Sequence, residues 1–470
     1  MSEMGLNLKD KIFLGGAYLV TREALTILLG FANVLILTRL IGPKHYGLYA
    51  AAFGMIVFLW SICRMGIDVY LIRSEKEPTL QAYHQAFTLM FCSGMMAMLI
   101  GVSAIPLLQR WYQDPAFIPP FLAMLVTLPL SALAGPALAR FEREINYKTI
   151  VTIELIGQFV FCIVSFLLAY LGKGVWAPVV GYISNQVCLL ICALAFAKMR
   201  PRFFWSWPLL REMMAYGIGY SASFWVWQFR YLVNSLIVGR YAGPEAVGYV
   251  SLTINLTEQL SFVKRTAWRL SIPVLAKLQS DFERLKKTME EAVSLQLFLL
   301  GPFLAGFALL APWLLPLLFG ERWQPVLLVY PFISLGTLVN TVFSMHSSAL
   351  YVLRRNWSVT WFHLFHIFLL SAGAFLFVRG LNVLGYGLAE VIALLSYILI
   401  HFQVAKLFRL SYAQAIPWVL AFGPPLFATL VPNEWIIFLW LPFAAVLFFR
   451  GPRGEVAKYI RYLMNEKTNR

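Results

Sequence analysis

The stretch Arg39-Leu40-Ile41-Gly42-Pro43-Lys44-His45-Tyr46-Gly47 returns later in the chain as Arg240-Tyr241-Ala242-Gly243-Pro244-Glu245-Ala246-Val247-Gly248. Outward from it, at the same offset, Asn33 pairs with Asn234, Ile36 with Ile237 and Arg64 with Arg265. Gly-Pro is a stop-and-restart signal between helices. Glycine ends one helix, and proline, which has no N–H to satisfy, suits the start of the next. Gly47 and Gly248 then let the second helix begin close by. One such match could be chance, but matching Asn, Arg, Gly, Pro, Gly and Arg at a single offset points to an internal repeat. A weaker echo links Gly172-Lys173-Gly174-Val175-Trp176 to Gly380-Leu381-Asn382-Val383-Leu384.

The surroundings of the repeat are apolar. The chain has 470 residues, 60% of them hydrophobic and 13% charged, where soluble domains carry about 25% charged residues. That is too little charge to cover a water-facing surface. The apolar blocks run for about 20 residues each, the length that crosses a bilayer as a helix. They lack the period-2 alternation of a membrane barrel. We read about fourteen spans, at 12–38, 46–68, 82–108, 118–138, 149–171, 176–197, 213–239, 246–263, 292–318, 325–349, 358–378, 384–405, 414–431 and 434–449. Lys9 and Lys11 ahead of an apolar run resemble the start of a signal peptide, but the run continues to Thr38, too long for that reading. It is taken as the first span.

Orientation follows from the basic residues. With the N-terminus inside, Arg39, Lys44, Arg110, Lys173, Arg240, Arg322 and Arg379 fall in outer loops and Arg22, Arg64 and Arg230 within spans. Every other one of the 38 Lys and Arg lies inside. This satisfies the positive-inside rule and puts both termini in the cytoplasm. The net charge of +16 is thus a topology signal, and its dispersal over short loops argues against nucleic-acid binding. An even number of spans separates the repeat copies, so the halves are expected to be parallel repeats about an axis normal to the membrane, with a cleft between them that opens alternately to each side. The expected fold is an all-α polytopic membrane protein: two parallel-related six-helix bundles at 1–199 and 213–405, an interfacial linker at 200–212, two additional spans within 406–450 and a cytoplasmic tail at 451–470.

Three inner pieces stand out. Arg200 to Arg211 mixes basic residues with Phe203, Phe204, Trp205 and Trp207, a composition suited to lying on headgroups. Lys277 to Glu291 reads as a charged helix without a core of its own. Val456, Tyr459, Ile460 and Leu463 share one face of a surface helix near the end. The five cysteines, Cys63, Cys92, Cys162, Cys188 and Cys192, all lie in apolar segments and imply no disulfide framework. Cys188 and Cys192 are one turn apart but have no His or carboxylate beside them, so they read as packing residues rather than metal ligands. His363 and His366 share a face of span eleven with Trp357 and Trp361, an interfacial aromatic pattern.

The first copy, Leu37-Thr38-Arg39-Leu40-Ile41-Gly42-Pro43-Lys44-His45-Tyr46-Gly47-Leu48-Tyr49, resembles the first hairpin of Wzx-type polysaccharide flippases of the multidrug/oligosaccharidyl-lipid/polysaccharide exporter superfamily. Phe141-Glu142-Arg143-Glu144-Ile145-Asn146-Tyr147 after span four, the second copy and the six-plus-six-plus-two layout extend the resemblance. It implies flipping of an undecaprenyl-pyrophosphate-linked oligosaccharide from the inner to the outer leaflet of a bacterial inner membrane. It implies no cofactor, and as partners the lipid-linked oligosaccharide, membrane lipids and a polysaccharide polymerase and co-polymerase.

Charges within spans cost several kcal/mol unless they face a wet cavity or a partner, so they are the candidates for function. Guanidinium groups bind phosphate oxygens in bidentate geometry. Arg22 and Arg230 occupy matching helices of the two halves and are expected to line the cleft. Arg64 and Arg265 occupy equivalent positions nearer its cytoplasmic mouth, although Asp68, four residues on, can neutralise Arg64 and Arg265 can snorkel to the interface. Glu23, Glu154, Glu258 and Glu390 lie in or near spans one, five, eight and twelve and are candidates for cation coupling, since a buried carboxylate can carry a proton. Competing readings are a cation-coupled drug exporter of the same superfamily, or a non-transport membrane enzyme or scaffold of polysaccharide assembly. The outer loops are short, no Ser/His/Asp or metal constellation appears, and no nucleotide-binding loop is present, so the chain reads as a transporter rather than an enzyme.

Overall fold

A computed structural model describes the backbone of residues 8–74, 77–112, 114–448 and 454, and the side chains of these from 29 onward except 216–220, 269 and 433. The surface helix expected at 456–464 lies outside the described residues. Two compact units are present, Met1–Gly248 and Tyr249–Arg470. The first contains α1 (Leu8–Cys63), α2 (Ile67–Arg73), α3 (Leu80–Ser103), α4 (Ile105–Trp111), α5 (Ile118–Leu125), α6 (Thr127–Arg143), α7 (Tyr147–Tyr170), α8 (Trp176–Ala197), α9 (Trp207–Leu232) and α10 (Gly239–Tyr241). A π-helix, Val233–Val238, joins the last two. Next come α11 (Gly243–Leu260), within which the unit boundary falls, α12 (Phe262–Lys277), α13 (Phe282–Phe319), α14 (Val326–Val352), α15 (Asn356–Ala393), α16 (Ser396–Ala405), α17 (Ala415–Phe422), α18 (Ile436–Leu439) and α19 (Leu441–Phe448). No strand occurs among the described residues.

The repeat has a backbone signature. Helix α1 breaks at Gly42, at φ 73 and ψ 174, and Pro43 restarts it. Gly243 takes the matching φ of 82 ahead of Pro244. The weaker echo behaves alike: Gly174 has φ 54, and its counterpart Asn382 has φ 49 where α15 breaks. Asn is among the non-glycine residues that most often take a positive φ.

Among the described residues, eight helices are long and apolar enough to cross a membrane. Leu29–Cys63 and Asn356–Ala405 among them each contain two of the spans read from sequence. Ala415–Thr429 and Ile436–Phe448 are shorter apolar helices. Residues 213–239 and 246–263 are helical but are not among the eight. Their buried faces carry Ser221, Ser223, Gln228, Thr253 and Thr257, which interrupt the apolar run. The window in α8 is only 17% buried, and α7 turns Ile163, Leu167 and Tyr170 outward. Apolar faces this extensive need a bilayer to cover them.

Each unit has its own core. In the first, Ile67, Ala86, Phe87, Met90, Ala132 and Ile153 bring α2, α3, α6 and α7 together. Alanines at these contacts let the backbones approach closely, as helix packing in lipid requires. In the second, Leu297, Leu300 and Leu304 of α13 pack with Leu338 and Met345 of α14 and with Trp418 and Phe422 of α17. The charged stretch 277–291 has the core that its composition hid. Leu285 and Met289 form an i, i+4 stripe buried at 0% and 1%, and after the turn at 278–281 the stretch from Phe282 is the first part of the 38-residue α13. The segment 201–206 is irregular: Phe204 N–H donates to Thr88 Oγ1 and Ser206 N–H to Gln85 Oε1, while Phe203 and Trp207 stay exposed.

Candidate transport site

The two copies of the repeat meet inside the first unit. A Cβ placed on Gly47 would stand 1.7 Å from the Pro244 carbonyl oxygen, and one placed on Gly248 would stand 2.5 Å from that of Pro43. Each copy's glycine thus receives the other copy's proline carbonyl, an exchange that only residues without a side chain permit. Around this junction Trp111 Nε1–H donates to Leu236 O at 2.8 Å and Tyr112 Oη–H to Ser235 O. Arg240 donates to Trp111 O at 2.7 Å and also lies over the Trp111 ring. Lys44 pairs with Asp114 at 3.2 Å. Both accepting carbonyls, of Ser235 and Leu236, belong to the π-helix, a form frequent at functional sites. These contacts close the junction between the two repeat loops into a seal.

Away from the seal, Arg64 forms an ion pair with Asp68, which is 7% exposed. Glu142 lies within electrostatic reach of both members of this pair and of Glu154, so it links Arg64 to Glu154. Arg64 and Glu154, expected to do different jobs, belong to one cluster, and the charge of Arg64 is already engaged. Arg143 fastens the same end by donating to the carbonyls of Leu71, Ile72 and Ser74. Tyr70 Oη–H donates to Glu212 Oε1 at 2.8 Å, tying α2 to α9. Burial and the neighbouring Glu212 carboxylate push the Tyr70 phenol up to about 12. Arg64→Gln is expected to lower the melting temperature by leaving Asp68 buried without its partner, and adding Asp68→Asn to restore most of the loss. Additive losses in this double-mutant cycle would contradict a paired role.

The other candidates are dispersed. Arg230 is half-buried on α9, its guanidinium 4.9 Å from the Trp227 ring centroid, directly before the π-helix. Arg265 donates to Glu258 O at 2.8 Å, and the Glu258 side chain is exposed. Glu390 is 7% exposed on α15 and packs beside Gly336 of α14. The side chains of Arg22 and Glu23 lie outside the described residues. His366 is buried with Nδ1 2.9 Å from Ser396 Oγ, while Trp357 and Trp361 are exposed, so the aromatic face at 357–366 divides between core and exterior. All five cysteines are free, and no group of three or more metal-ligating residues occurs among the described residues. His346, His401 and Tyr412 form a partly buried cluster drawn from three separate segments, and their spacing carries no periodic signal in the sequence.

A family model described as polysaccharide biosynthesis protein matches residues 36–328. The chain is 22% identical over 448 residues to the lipopolysaccharide biosynthesis protein WzxC of Escherichia coli strain K12, covering 93% of this chain and 86% of that protein. It is 23% identical over 298 residues to the succinoglycan biosynthesis transport protein ExoT of Rhizobium meliloti, covering 63% of this chain and 60% of ExoT. Its fold is similar to that of the lipid II flippase MurJ in an inward closed conformation, with a TM-score of 0.71, 12% identity and coverage of 95% of this chain and 99% of that one. It is also similar to an inward-facing multidrug resistance MATE family transporter of the MOP superfamily, with a TM-score of 0.59, 12% identity and coverage of 81% and 95%. These relatives are named for transport and polysaccharide biosynthesis rather than for a catalytic activity.

Proposed function

Because this chain belongs to the family of polysaccharide biosynthesis proteins, as a multi-pass membrane protein with a transporter fold, we propose that it flips an undecaprenyl-pyrophosphate-linked oligosaccharide from the cytoplasmic to the outer leaflet by alternating access. The observation that carries this reading is the fold shared with a lipid II flippase over nearly the whole chain. A lipid-linked sugar is also the precursor class that polysaccharide biosynthesis needs moved. The reciprocal Gly-Pro seal supports it, because alternating access requires a contact that closes one side while the other is open.

In this reading the chain crosses a bacterial inner membrane about fourteen times. Two repeat-related bundles at 1–199 and 213–405 are joined by an interfacial linker, and both termini are cytoplasmic. Arg22 and Arg230 bind the pyrophosphate, and Arg64 and Arg265 act nearer the cytoplasmic mouth. Glu23, Glu154, Glu258 and Glu390 are the acidic candidates for coupling to a cation gradient. A polysaccharide polymerase and co-polymerase take up the product.

Arg22→Ala and Arg230→Ala, at matched expression, are each expected to reduce export roughly ten- to a hundredfold. Each removes a charge-assisted contact of about 1.5–3 kcal/mol. Arg230→Lys keeps the charge but loses the fork, and is expected to fall between. Full export by both alanine variants would contradict a cationic binding site.

A further inference from the structure

The second unit holds a partly buried polar cluster that no charged span accounts for. His346 of α14 is 1% exposed, with Nε2 2.8 Å from Oη of Tyr412 in the segment between α16 and α17. His401 of α16, half-buried, has Nδ1 2.7 Å from the same Oη. Nδ1 of His346 has no hydrogen-bond partner from the protein. A cavity of about 10 Å³, the size of a single water, is lined by His346, Tyr412, Ser411 and Glu290 of α13. Glu290 Oε1 accepts the Ser411 N–H at 2.6 Å. One layer out, Tyr397 of α16 lies against Phe343 and His366 of α15, and accepts from Asn340. Lys406 and Arg409 of the connecting segment are exposed.

A tyrosine hydroxyl has one proton and can donate to only one of its two histidines. The other ring must donate into its oxygen, so the triad has two polarities. In one, His346 donates through Nε2–H, Tyr412 donates to His401, and Nδ1 of His346 is a bare lone pair. In the other, His401 donates through Nδ1–H, Tyr412 donates to His346, and the proton on His346 must sit on Nδ1. The first is the resting form, because the protein offers an N–H on Nδ1 of His346 no acceptor, and a buried N–H is worse tolerated than an unfilled lone pair. Burial and the Glu290 carboxylate hold the Tyr412 phenol well above its ordinary range, so it stays protonated in both forms.

We propose that His346, Tyr412 and His401 form a proton wire between the cavity beside Glu290 and the half-buried face of α16. A proton bonds to Nδ1 of His346, and the Nε2 proton of that ring passes to Tyr412 Oη. The original hydroxyl proton passes to Nδ1 of His401, which then carries the charge with both nitrogens protonated. Loss of its Nε2 proton completes the transfer of one proton, and nothing else is consumed. The wire needs no transported substrate, so its test is independent of the flippase reading.

The experiment is a pH titration of the full-length, ¹⁵N-histidine-labelled protein in lipid nanodiscs, followed by nitrogen chemical shifts, which separate the two tautomers from the charged ring. On lowering pH, His346 is expected to move its proton from Nε2 to Nδ1 at the same midpoint at which His401 charges. In Tyr412→Phe, His401 should still titrate while His346 no longer responds. In His401→Gln, the His346 response should likewise vanish, which gives a second arm should Tyr412→Phe not fold. A His346 tautomer that is fixed while His401 charges in the unaltered protein, or that still switches in either variant, would overturn the wire.

Discussion

Gly47→Ala is expected to break the seal between the two repeat loops and expose Ala246 to solvent. The added methyl would lie 1.7 Å from the Pro244 carbonyl oxygen. That atom is backbone, so no side chain can swing aside, and the loop as a whole must move. Forcing a methyl into packed backbone costs about 1–3 kcal/mol, which shifts an open-closed equilibrium roughly 5- to 150-fold. Gly248→Ala meets Pro43 O at 2.5 Å and should act in the same direction by less. Ala246 is 3% exposed, so Ala246→Cys reports on opening. In purified protein, a water-soluble maleimide should label Ala246→Cys slowly alone and much faster combined with Gly47→Ala. Equal rates would mean that the junction is a static packing contact.

The largest stability effect is expected at Trp418. Its side chain is 0% exposed, with its ring centroid 5.0 Å from that of Phe298 and stacked on Phe422, and its indole N–H donates to Ser294 Oγ at 3.1 Å. It thereby anchors α17 to α13, which carries the main core of the second unit. Trp418→Ala should cost about 3–5 kcal/mol, through lost contacts and the cavity left behind. Trp418→Phe keeps much of the volume and should cost clearly less. The check is thermal unfolding in detergent. A Trp418→Ala melting temperature within a degree of the unaltered protein would show that α17 is held by other contacts.

Much of the frame was legible because it rests on local rules. Gly42 and Gly243 sit before prolines in equivalent positions, and both take the left-handed backbone. The echo between Gly174 and Asn382 extends to a positive φ at both, although the residue types differ. Arg64 and Asp68, at i and i+4, were legible as a pair. The addition of Glu142 and Glu154 was not, because they come from other helices. The stretch 277–291 misled because its charges outnumber the apolar stripe of Leu285 and Met289 that buries it. The reciprocal approach of Gly47 and Gly248 to the opposite prolines depends on how far-apart segments pack, and sequence spacing does not encode it. The same holds for Tyr412, which becomes chemically interesting only once two histidines from different helices converge on its hydroxyl.

Flipping is tested by locating the lipid-linked oligosaccharide in cells that lack this protein. The pyrophosphate-linked repeat unit is expected to accumulate in the cytoplasmic leaflet while surface polysaccharide falls, and the unaltered protein is expected to restore both while Arg230→Ala does not. Surface polysaccharide that falls without any accumulation of the lipid-linked unit would contradict flipping.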